Sequence, residues 1–488
     1  MKKLKSLLAA LLCAGLVAAT ALAQTAPAKA PAKSAPSDTA AAQAPAKAPT
    51  KAPAAKPAGP RPITISFTQQ TLKNGLRVIL SEDHSAPTYS IAVNYDVGSR
   101  NEKEGRSGFA HLFEHMMFQG SKNVGKGEHF ILVENNGGGV NGTTNNDRTL
   151  YFETLPKNQL DLGLFLEADR MRALNVNQEN LDNQRKAVQE ERRLRIDNQP
   201  YGPTFLAIDE LAYDNYAYKH SVIGTMEDLN AANLQDVQDF FRTYYAPNNA
   251  VVVLVGDFVS AEALAKVKKY FEEIPSQPKP PAVDMSEPPA SGERRKTMED
   301  GFAQQPRLDI FYKIPRGNTD DWYALDIAGD VLVRGQSSRL YQKLVREKQV
   351  ATGVFGGPDS RRGMSLFSFA VALRPTAKPE DVEKMIYEEV ERLKTEPVSE
   401  GELKKISMQN RRQRAQQMQS TLARAVALSE AAIAYNDPNV VNTIEKRQNA
   451  VTAKDVQRVA QTYWTEKNRS VITTLVKPKA PAAPPAKQ

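Results

Sequence analysis

Short apolar runs alternate with longer amphipathic stretches along the middle of the chain. Four apolar runs, bounded by polar or turn residues, predict strands at Leu76–Leu80, Tyr89–Tyr95, Leu308–Ile314 and Leu366–Leu373. The longer stretches between them carry apolar residues at helical spacing, and the segment Ser399–Glu402 predicts a capped helix start. This order of strands and helices predicts an α+β protein whose sheets pack against helices.

Six residues recur 219 positions later in the same order, which indicates an internal repeat. They are Asp236, Val237, Gln238, Thr243, Tyr244 and Asn249, repeated as Asp455, Val456, Gln457, Thr462, Tyr463 and Asn468. In each copy a helical stretch leads into an apolar run, at 251–255 and 471–476. The repeat predicts two homologous halves, residues 61–273 and 298–476, joined by a Pro-rich linker at 274–297.

Both ends of the chain differ in composition from the middle. Residues 1–23 combine three lysines, an apolar stretch and small residues before Gln24, which predicts a secretory signal peptide. An uncleaved membrane anchor is the alternative, although the stretch is slightly short for a span. Residues 24–60 and 477–488 are rich in Ala, Pro and Lys and predict disordered segments. We therefore expect a periplasmic protein of a Gram-negative bacterium, without a transmembrane span after cleavage.

The formal net charge of +8 comes from these ends. Three lysines of residues 1–23, a net +4 of residues 24–60 and three lysines of residues 477–488 leave the remainder at −2. The nearly neutral middle therefore does not indicate nucleic-acid binding. The single cysteine, Cys13, lies in the predicted signal peptide, which suits an oxidising compartment without disulfides.

The segment His111-Leu112-Phe113-Glu114-His115 carries the clearest chemistry of the chain. Histidines four residues apart share one face of a helix, so both can bind one metal ion. Glu114 directly precedes His115 and lies about 100° from it around the helix axis, close enough to reach a water on that ion. The apolar flanks predict a buried helix, where a metal would satisfy all three polar side chains. The alternative is a solvated helix face with two unrelated histidines.

A hydrolytic zinc site uses three protein ligands and keeps one position open for water. The third ligand should therefore come from a distant segment, and the only cysteine is excluded by its position. A predicted helix from Leu181 offers Glu190 and Glu191. Of the two, Glu191 lies on the more apolar face, beside Gln184 and Val188. Helix geometry alone leaves open whether both glutamates are surface charges paired with neighbouring arginines.

The order His-x-x-Glu-His, with a glutamate 76 residues beyond the second histidine, resembles the pitrilysin/insulinase family of zinc metallopeptidases (M16). Four further segments are similar to family segments: Leu72–Val78, Val97–Arg100, Asn141–Tyr151 and Asn198–Gly202. The similarity covers roughly residues 66–476 and is greatest to small two-domain bacterial and processing-peptidase-like members. It implies the LuxS/MPP-like metallohydrolase fold, with each half a mixed, mainly antiparallel sheet packed against helices.

The resemblance also implies a metal site and a reaction. His111, His115 and Glu191 would bind one Zn²⁺ per chain, and Glu114 would act as the general base. We therefore predict a zinc-dependent endopeptidase that cleaves short unfolded peptides through metal-activated water. A non-catalytic scaffold, as a subunit of a larger complex, is the alternative, although such relatives usually lose zinc ligands or the glutamate.

A substrate-binding edge is a further implication of the resemblance. The segment that contains Gly139, Asn141 and Gly142 would form an exposed strand that pairs with the substrate backbone. Its composition alone also fits an ordinary loop. Most of the family has Ala where Gly142 stands, so this position departs from the pattern.

The second half departs from the family pattern at one substrate-binding position. Family members usually have an Arg and, seven residues later, a Tyr that hold the substrate. Arg346 matches the Arg, but Gly353, or Thr352 with a one-residue gap, stands at the Tyr position. We therefore hypothesise a heterodimer in which a homologous subunit supplies the Arg/Tyr pair; a self-sufficient homodimer is the alternative.

The second half also lacks the metal motif. When Gly120 is aligned with Gly335, two aspartates and a glycine stand opposite the three residues of the metal motif. These residues are Asp326, Gly329 and Asp330, a poor zinc site, and we predict one metal per chain. The other three histidines are interpreted as ordinary surface or helix-face residues: His84, His129 and His220.

Overall fold

Two β-sheets, one in each half of the chain, organise the computed structural model, which describes residues 62–478. The predicted signal peptide (1–23), the predicted tether (24–60) and most of the predicted tail (477–488) lie outside the described residues. Within the described residues, those from Ile63 onward form one compact unit. No helix in the described part of the chain is long and apolar enough to cross a membrane.

The first sheet has six strands in the order β1-β2-β6-β3-β5-β4. Their bounds are β1 Thr68–Thr71, β2 Arg77–Glu82, β3 Thr88–Tyr95, β4 Gly139–Thr144, β5 Thr149–Pro156 and β6 Ala250–Gly256. The β2–β6 pair is parallel and the other pairs are antiparallel. Every residue of β6 is buried, because this apolar strand lies inside the sheet. β4 lies at one edge.

The second sheet has five strands in the order β7-β11-β8-β10-β9. Their bounds are β7 Arg294–Asp300, β8 Arg307–Ile314, β9 Ala351–Pro358, β10 Ser365–Leu373 and β11 Arg469–Val476. The β11–β7 pair is parallel and the others are antiparallel. When β1 is left out, the other five strands of the first sheet have the same order and the same relative directions as the five strands of the second sheet. The prediction of two similarly folded α+β halves is confirmed.

Fifteen helices in the described residues cover the sheets. In the first half they are α1 Phe109–Met116, α2 Glu128–Asn135, α3 Leu160–Ala173, α4 Gln178–Arg192, α5 Gly202–Ala212, α6 Tyr216–Lys219, α7 Met226–Ala231, α8 Leu234–Tyr244 and α9 Ser260–Phe271. In the second half they are α10 Asp320–Leu332, α11 Pro379–Thr395, α12 Glu400–Gln417, α13 Thr421–Tyr435, α14 Val440–Ala450 and α15 Ala453–Tyr463. The predicted capping box is confirmed at the start of α12, where the Ser399 side chain accepts from the Glu402 backbone.

One helix of each half packs on the sheet of the other half. α13 packs on β3 and β6 of the first sheet, where Ala425, Leu428 and Ala432 contact the valines of β6. α5 packs on β7, β8 and β11 of the second sheet. The connecting residues 275–291 contain neither helix nor strand, and β7 begins at Arg294, inside the predicted linker.

The segment Leu72–Val78, which resembles an opening strand, is only partly a strand. Leu72–Leu76 forms a turn in which the N–H of Leu72 donates to the Leu76 carbonyl at 2.8 Å, and β2 begins at Arg77. Asn74 and Gly75 explain the difference, because Gly75 adopts a φ of +85°, a conformation that the Asn-Gly pair favours.

Candidate metal centre

Helix α1 carries the two histidines and the glutamate of the predicted motif. Leu112, Phe113 and Met116 are buried in the core, so the remaining face of the helix presents His111, Glu114 and His115. Gly108 at the N-cap has no side chain to bind the first amides. The buried carboxylate of Glu102 caps the helix instead: it accepts hydrogen bonds from the backbone N–H groups of Gly108 and Ala110, each at 2.8 Å.

His220 supports this cap from outside the helix. Its Nε2 lies 2.9 Å from an oxygen of Glu102, and its Nδ1 lies 2.7 Å from the Tyr216 carbonyl oxygen. The interpretation of His220 as an ordinary surface or helix-face residue is therefore wrong, since its ring links α6 to the start of α1. No periodic pattern in the sequence indicates this contact, which joins residues more than 100 positions apart.

Helix α4 brings the third predicted ligand to α1. Leu181, Gln184 and Val188 are buried on the face that packs against α1, which turns Glu191 inward. The Glu191 side chain is 13% exposed, whereas the Glu190 side chain is 58% exposed and pairs with Arg193 at 3.1 Å. Helix geometry alone left open whether both glutamates are surface charges, and the packing of α4 on α1 shows that Glu190 is one and Glu191 is not.

The two histidines and Glu191 converge on one point. Oε2 of Glu191 lies 3.1 Å from Nε2 of His115 and 3.6 Å from Nε2 of His111. One ligand atom from each side chain lies within 4.8 Å of the other two. Atoms bound tetrahedrally to one zinc ion stand about 3.3 Å apart, given bonds of about 2.0 Å. The separations therefore fit a shared metal ion.

The electrostatics of this cluster also suit a cation. Burial and the neighbouring His115 lower the pKa of His111 to about 3, so its imidazole is neutral and keeps a free lone pair. Burial alone would raise the pKa of the Glu191 carboxyl, but the imidazoles of His115 and His111 and the Arg195 guanidinium outweigh it and lower the pKa to about 2. Within the described chain, the buried Oε2 of Glu191 meets no hydrogen-bond donor in good geometry. A metal would satisfy it.

Glu114 lies between the metal ligands and the edge strand β4. Burial raises the pKa of its carboxyl, while the Thr144 hydroxyl and His115 oppose that shift. A Cβ on Gly142 would lie 3.0 Å from Cγ of Glu114, so the edge strand and this side chain are in direct contact. A carboxyl with a raised pKa is suited to take up and release a proton near neutral pH.

The segment with the predicted substrate-binding residues is the edge strand β4, not a loop. Gly139, Asn141 and Gly142 lie on it, and β5 pairs with one side only. Because the Asn145 N–H donates to the Arg148 carbonyl, the antiparallel alternation turns the N–H of Gly142 to the open side. There the Asn141 side-chain oxygen accepts it at 2.8 Å. Among the described residues, no strand pairs with this side of β4.

The hairpin that follows β4 is held by the second half of the chain. Arg148 donates to the Thr143 carbonyl at 2.8 Å and pairs with Glu430 of α13 at 3.0 Å. Asp147 accepts from the backbone N–H of Arg362 at 3.0 Å. Sequence reasoning missed these residues, because their partners lie more than 200 positions away.

Arg346 lies away from this cluster of contacts. It belongs to a π-helical turn, Tyr341–Glu347, and its guanidinium lies 5.7 Å from the centre of the Tyr341 ring. Among the described residues, no recorded contact joins Arg346 to His111, His115 or Glu191. Its predicted role in substrate binding stays a prediction.

An arginine occupies the counterpart of the metal motif in the second half. Arg334 pairs with Asp326 at 2.5 Å and with Asp330 at 3.0 Å. Asn410 of α12 donates to Asp330 at 2.8 Å, and Gln448 donates to Asp326 at 2.9 Å. The guanidinium thus supplies positive charge to the buried Asp326 and the partly buried Asp330.

A second buried cluster joins His129, Glu153 and Glu167. His129 is only 4% exposed, so its interpretation as an ordinary surface or helix-face residue is wrong in respect of burial. Both oxygens of Glu167 accept from Arg170, and burial raises the pKa of Glu153 and of Glu167 to about 7. Arg170 and a shared proton balance the charge here, so we do not assign a metal to this cluster.

Comparison with known proteins gives two family matches and several relatives. The protein-family model described as "Insulinase (Peptidase family M16)" matches residues 77–226. A second family model, described as "Peptidase M16 inactive domain", matches residues 231–410. The chain is 31% identical over 411 residues to "Zinc protease PqqE" of Helicobacter pylori, covering 84% of this chain and 92% of the relative.

The solved structure of a protease from Helicobacter pylori superposes with a TM-score of 0.81 at 31% identity, covering 85% of this chain and all of the other. Bovine "Mitochondrial-processing peptidase subunit beta" is 28% identical over 202 residues, which is 41% of each chain.

Proposed function

The chain belongs to the M16 (insulinase) family of peptidases, and from this premise we propose that it is a zinc-dependent endopeptidase that cleaves short unfolded peptides. One observation carries the proposal: two imidazoles and a carboxylate from α1 and α4 face a common point, and Glu114 stands beside them. Relatives named zinc proteases support zinc as the metal.

His111, His115 and Glu191 would hold the zinc ion. Bound there, zinc would lower the pKa of a water and polarise the carbonyl of a peptide bond. Glu114 would accept a proton from that water on a carboxylate oxygen, and would then deliver it to the nitrogen of the departing amine. The raised pKa of Glu114 makes its carboxylate a stronger base, which favours the first of these two transfers.

The open side of β4 would bind the substrate as an added strand. Backbone pairing orients a peptide without reading its side chains, so we propose broad sequence preference. An unfolded peptide can adopt the extended backbone that such pairing needs without first losing tertiary structure. Short unfolded peptides are therefore the proposed substrate class.

We further propose a partner subunit and a periplasmic location. Neither Thr352 nor Gly353 has a phenol to stabilise a developing oxyanion, so a homologous chain with an Arg/Tyr pair would complete the site. A relative that is named a subunit supports this arrangement. The predicted signal peptide, residues 1–23, would direct export. Full peptidase turnover by the purified chain alone would contradict the heterodimer.

The peptidase proposal is tested on the full chain purified with its bound partners from the cells that make it. We compare the unchanged protein, Glu114→Gln and the control Glu134→Gln, which alters an exposed carboxylate on α2. Zinc content is measured by elemental analysis, and cleavage of an unfolded peptide mixture is measured by mass spectrometry. We expect Glu114→Gln to keep its zinc and to lose turnover by about 10²- to 10⁴-fold, with the control unaffected. Zinc binding without cleavage in the unchanged protein would instead favour the scaffold.

A further inference from the structure

The two carboxylate oxygens of Glu191 face different partners. Oε2 lies 3.1 Å from His115 and 3.6 Å from His111, whereas Oε1 lies 2.8 Å from Nη1 of Arg195. Arg195 thus engages the outer oxygen, and only one oxygen of the carboxylate faces the imidazoles.

We infer that Arg195 is a positioning residue that restricts Glu191 to one ligating oxygen and so keeps a position open for the reacting water. The inference rests on the proposed function, because it concerns the same metal site. It assigns a role to a residue outside the metal motif and its third ligand.

The backbone changes where Arg195 stands. α4 ends at Arg192 and continues into a π-helical turn, Arg193–Asp197. Such wide turns are rare, and they occur frequently at functional sites. Arg195 is the third residue of this turn and follows Glu191 by four positions, which lets its side chain fold back on the carboxylate.

The chemistry of carboxylate ligands explains why the outer oxygen needs a partner. A carboxylate can bind a metal through one oxygen or through both. Two imidazoles, one carboxylate oxygen and a water complete the four positions of a hydrolytic zinc site. A second carboxylate oxygen would compete with the water. With Arg195 in place, that oxygen would first have to leave a charge-assisted hydrogen bond.

A neighbouring ion pair provides a matched control. Arg193 lies in the same turn, is 51% exposed like Arg195, and pairs with Glu190 at 3.1 Å. Glu190 is 58% exposed, so the Arg193–Glu190 pair matches the Arg195–Glu191 pair in its arginine but lies outside the metal site. Half-exposed pairs of this kind contribute little to stability, so both arginines can be replaced without unfolding the protein.

The experiment compares the full-length protein with Arg195→Ala, Arg195→Lys and Arg193→Ala. Zinc is removed and replaced by Co²⁺, whose visible absorption weakens when the coordination number rises from four to five. Zinc affinity is measured by competition with a chelator, and peptide turnover is measured on the zinc-loaded proteins. The cobalt spectrum reports on the ligand set independently of activity.

We expect Arg195→Ala to bind one metal ion per chain with a weaker cobalt spectrum, and to lose turnover by about 10- to 100-fold. Arg195→Lys should recover much of the spectrum, because an ammonium can still donate to Oε1, and Arg193→Ala should match the unchanged protein. An unchanged spectrum and turnover in Arg195→Ala would overturn the inference while leaving the proposed function intact. An unchanged protein that binds neither Zn²⁺ nor Co²⁺ would overturn the proposed function and this inference together.

Discussion

Replacing Glu102 should loosen the helix that carries the metal motif. Its two oxygens accept the backbone N–H groups of Gly108 and Ala110 at 2.8 Å, in a site without water access, because Glu102 is buried. A hydrogen bond to a charged acceptor contributes about 1.5–3 kcal/mol. Two such bonds give about 3–6 kcal/mol, and we expect Glu102→Ala to cost about 4 kcal/mol of local stability at the start of α1.

Amide hydrogen exchange measures this local effect directly. A loss of about 4 kcal/mol corresponds to an increase in exchange of about 1,000-fold in peptides that cover α1, since 1.4 kcal/mol is a factor of ten. Zinc affinity should fall as well, because His111 lies in the first turn of the helix. Glu104→Ala, at an exposed neighbour, is the control. Exchange in α1 that stays within a few-fold of the unchanged protein would refute the reasoning.

Three further predictions concern other parts of the site and its surroundings. Gly142→Ala should lower turnover without releasing zinc, because its Cβ would lie 3.0 Å from Cγ of Glu114, whereas Gly301→Ala, whose Cβ meets nothing within 4 Å, should have no effect in the same assay. Arg334→Ala should destabilise the protein by about 1.5–3 kcal/mol in urea unfolding, because the buried Asp326 and the partly buried Asp330 lose the positive charge that pairs with them, while zinc content should not change. The pKa of Glu153 is about 7 in the fold and lower in the unfolded chain, so its contribution to stability is present below about pH 4.5 and is lost as pH rises through 7. Glu153→Gln should therefore gain stability relative to the unchanged protein between pH 5 and pH 8, and a pH-independent difference in unfolding free energy would contradict this.

Local patterns predicted much of the fold. The apolar runs at Tyr89–Tyr95 and Leu308–Ile314 correspond to β3 and β8 within one residue, because alternation of apolar side chains follows directly from burial in a sheet. The capping box at Ser399 and the helix under His111 and His115 are likewise short-range features. The two homologous halves followed from the repeat.

Those local patterns do not predict contacts between segments that are distant in the chain. Helix periodicity placed Glu191 on the more apolar face of its helix, but whether that face packs against α1 or both glutamates are surface charges depends on tertiary packing. The exchange of α5 and α13 between the sheets depends on contacts between segments that lie far apart in the chain, such as α13 with β3 and α5 with β11. His129 looked ordinary because its buried partners come from β5 and α3.

The most direct test of the account is the zinc content of Glu191→Gln beside Glu190→Gln. The two variants change neighbouring glutamates on α4, of which one faces the histidines and the other faces solvent. Equilibrium dialysis against Zn²⁺ measures the bound metal per chain. We predict one zinc ion per chain for the unchanged protein and for Glu190→Gln, and at least a 100-fold loss of affinity for Glu191→Gln, on the order of a lost metal ligand. Equal zinc binding by both variants would contradict the convergence of His111, His115 and Glu191 on one metal ion.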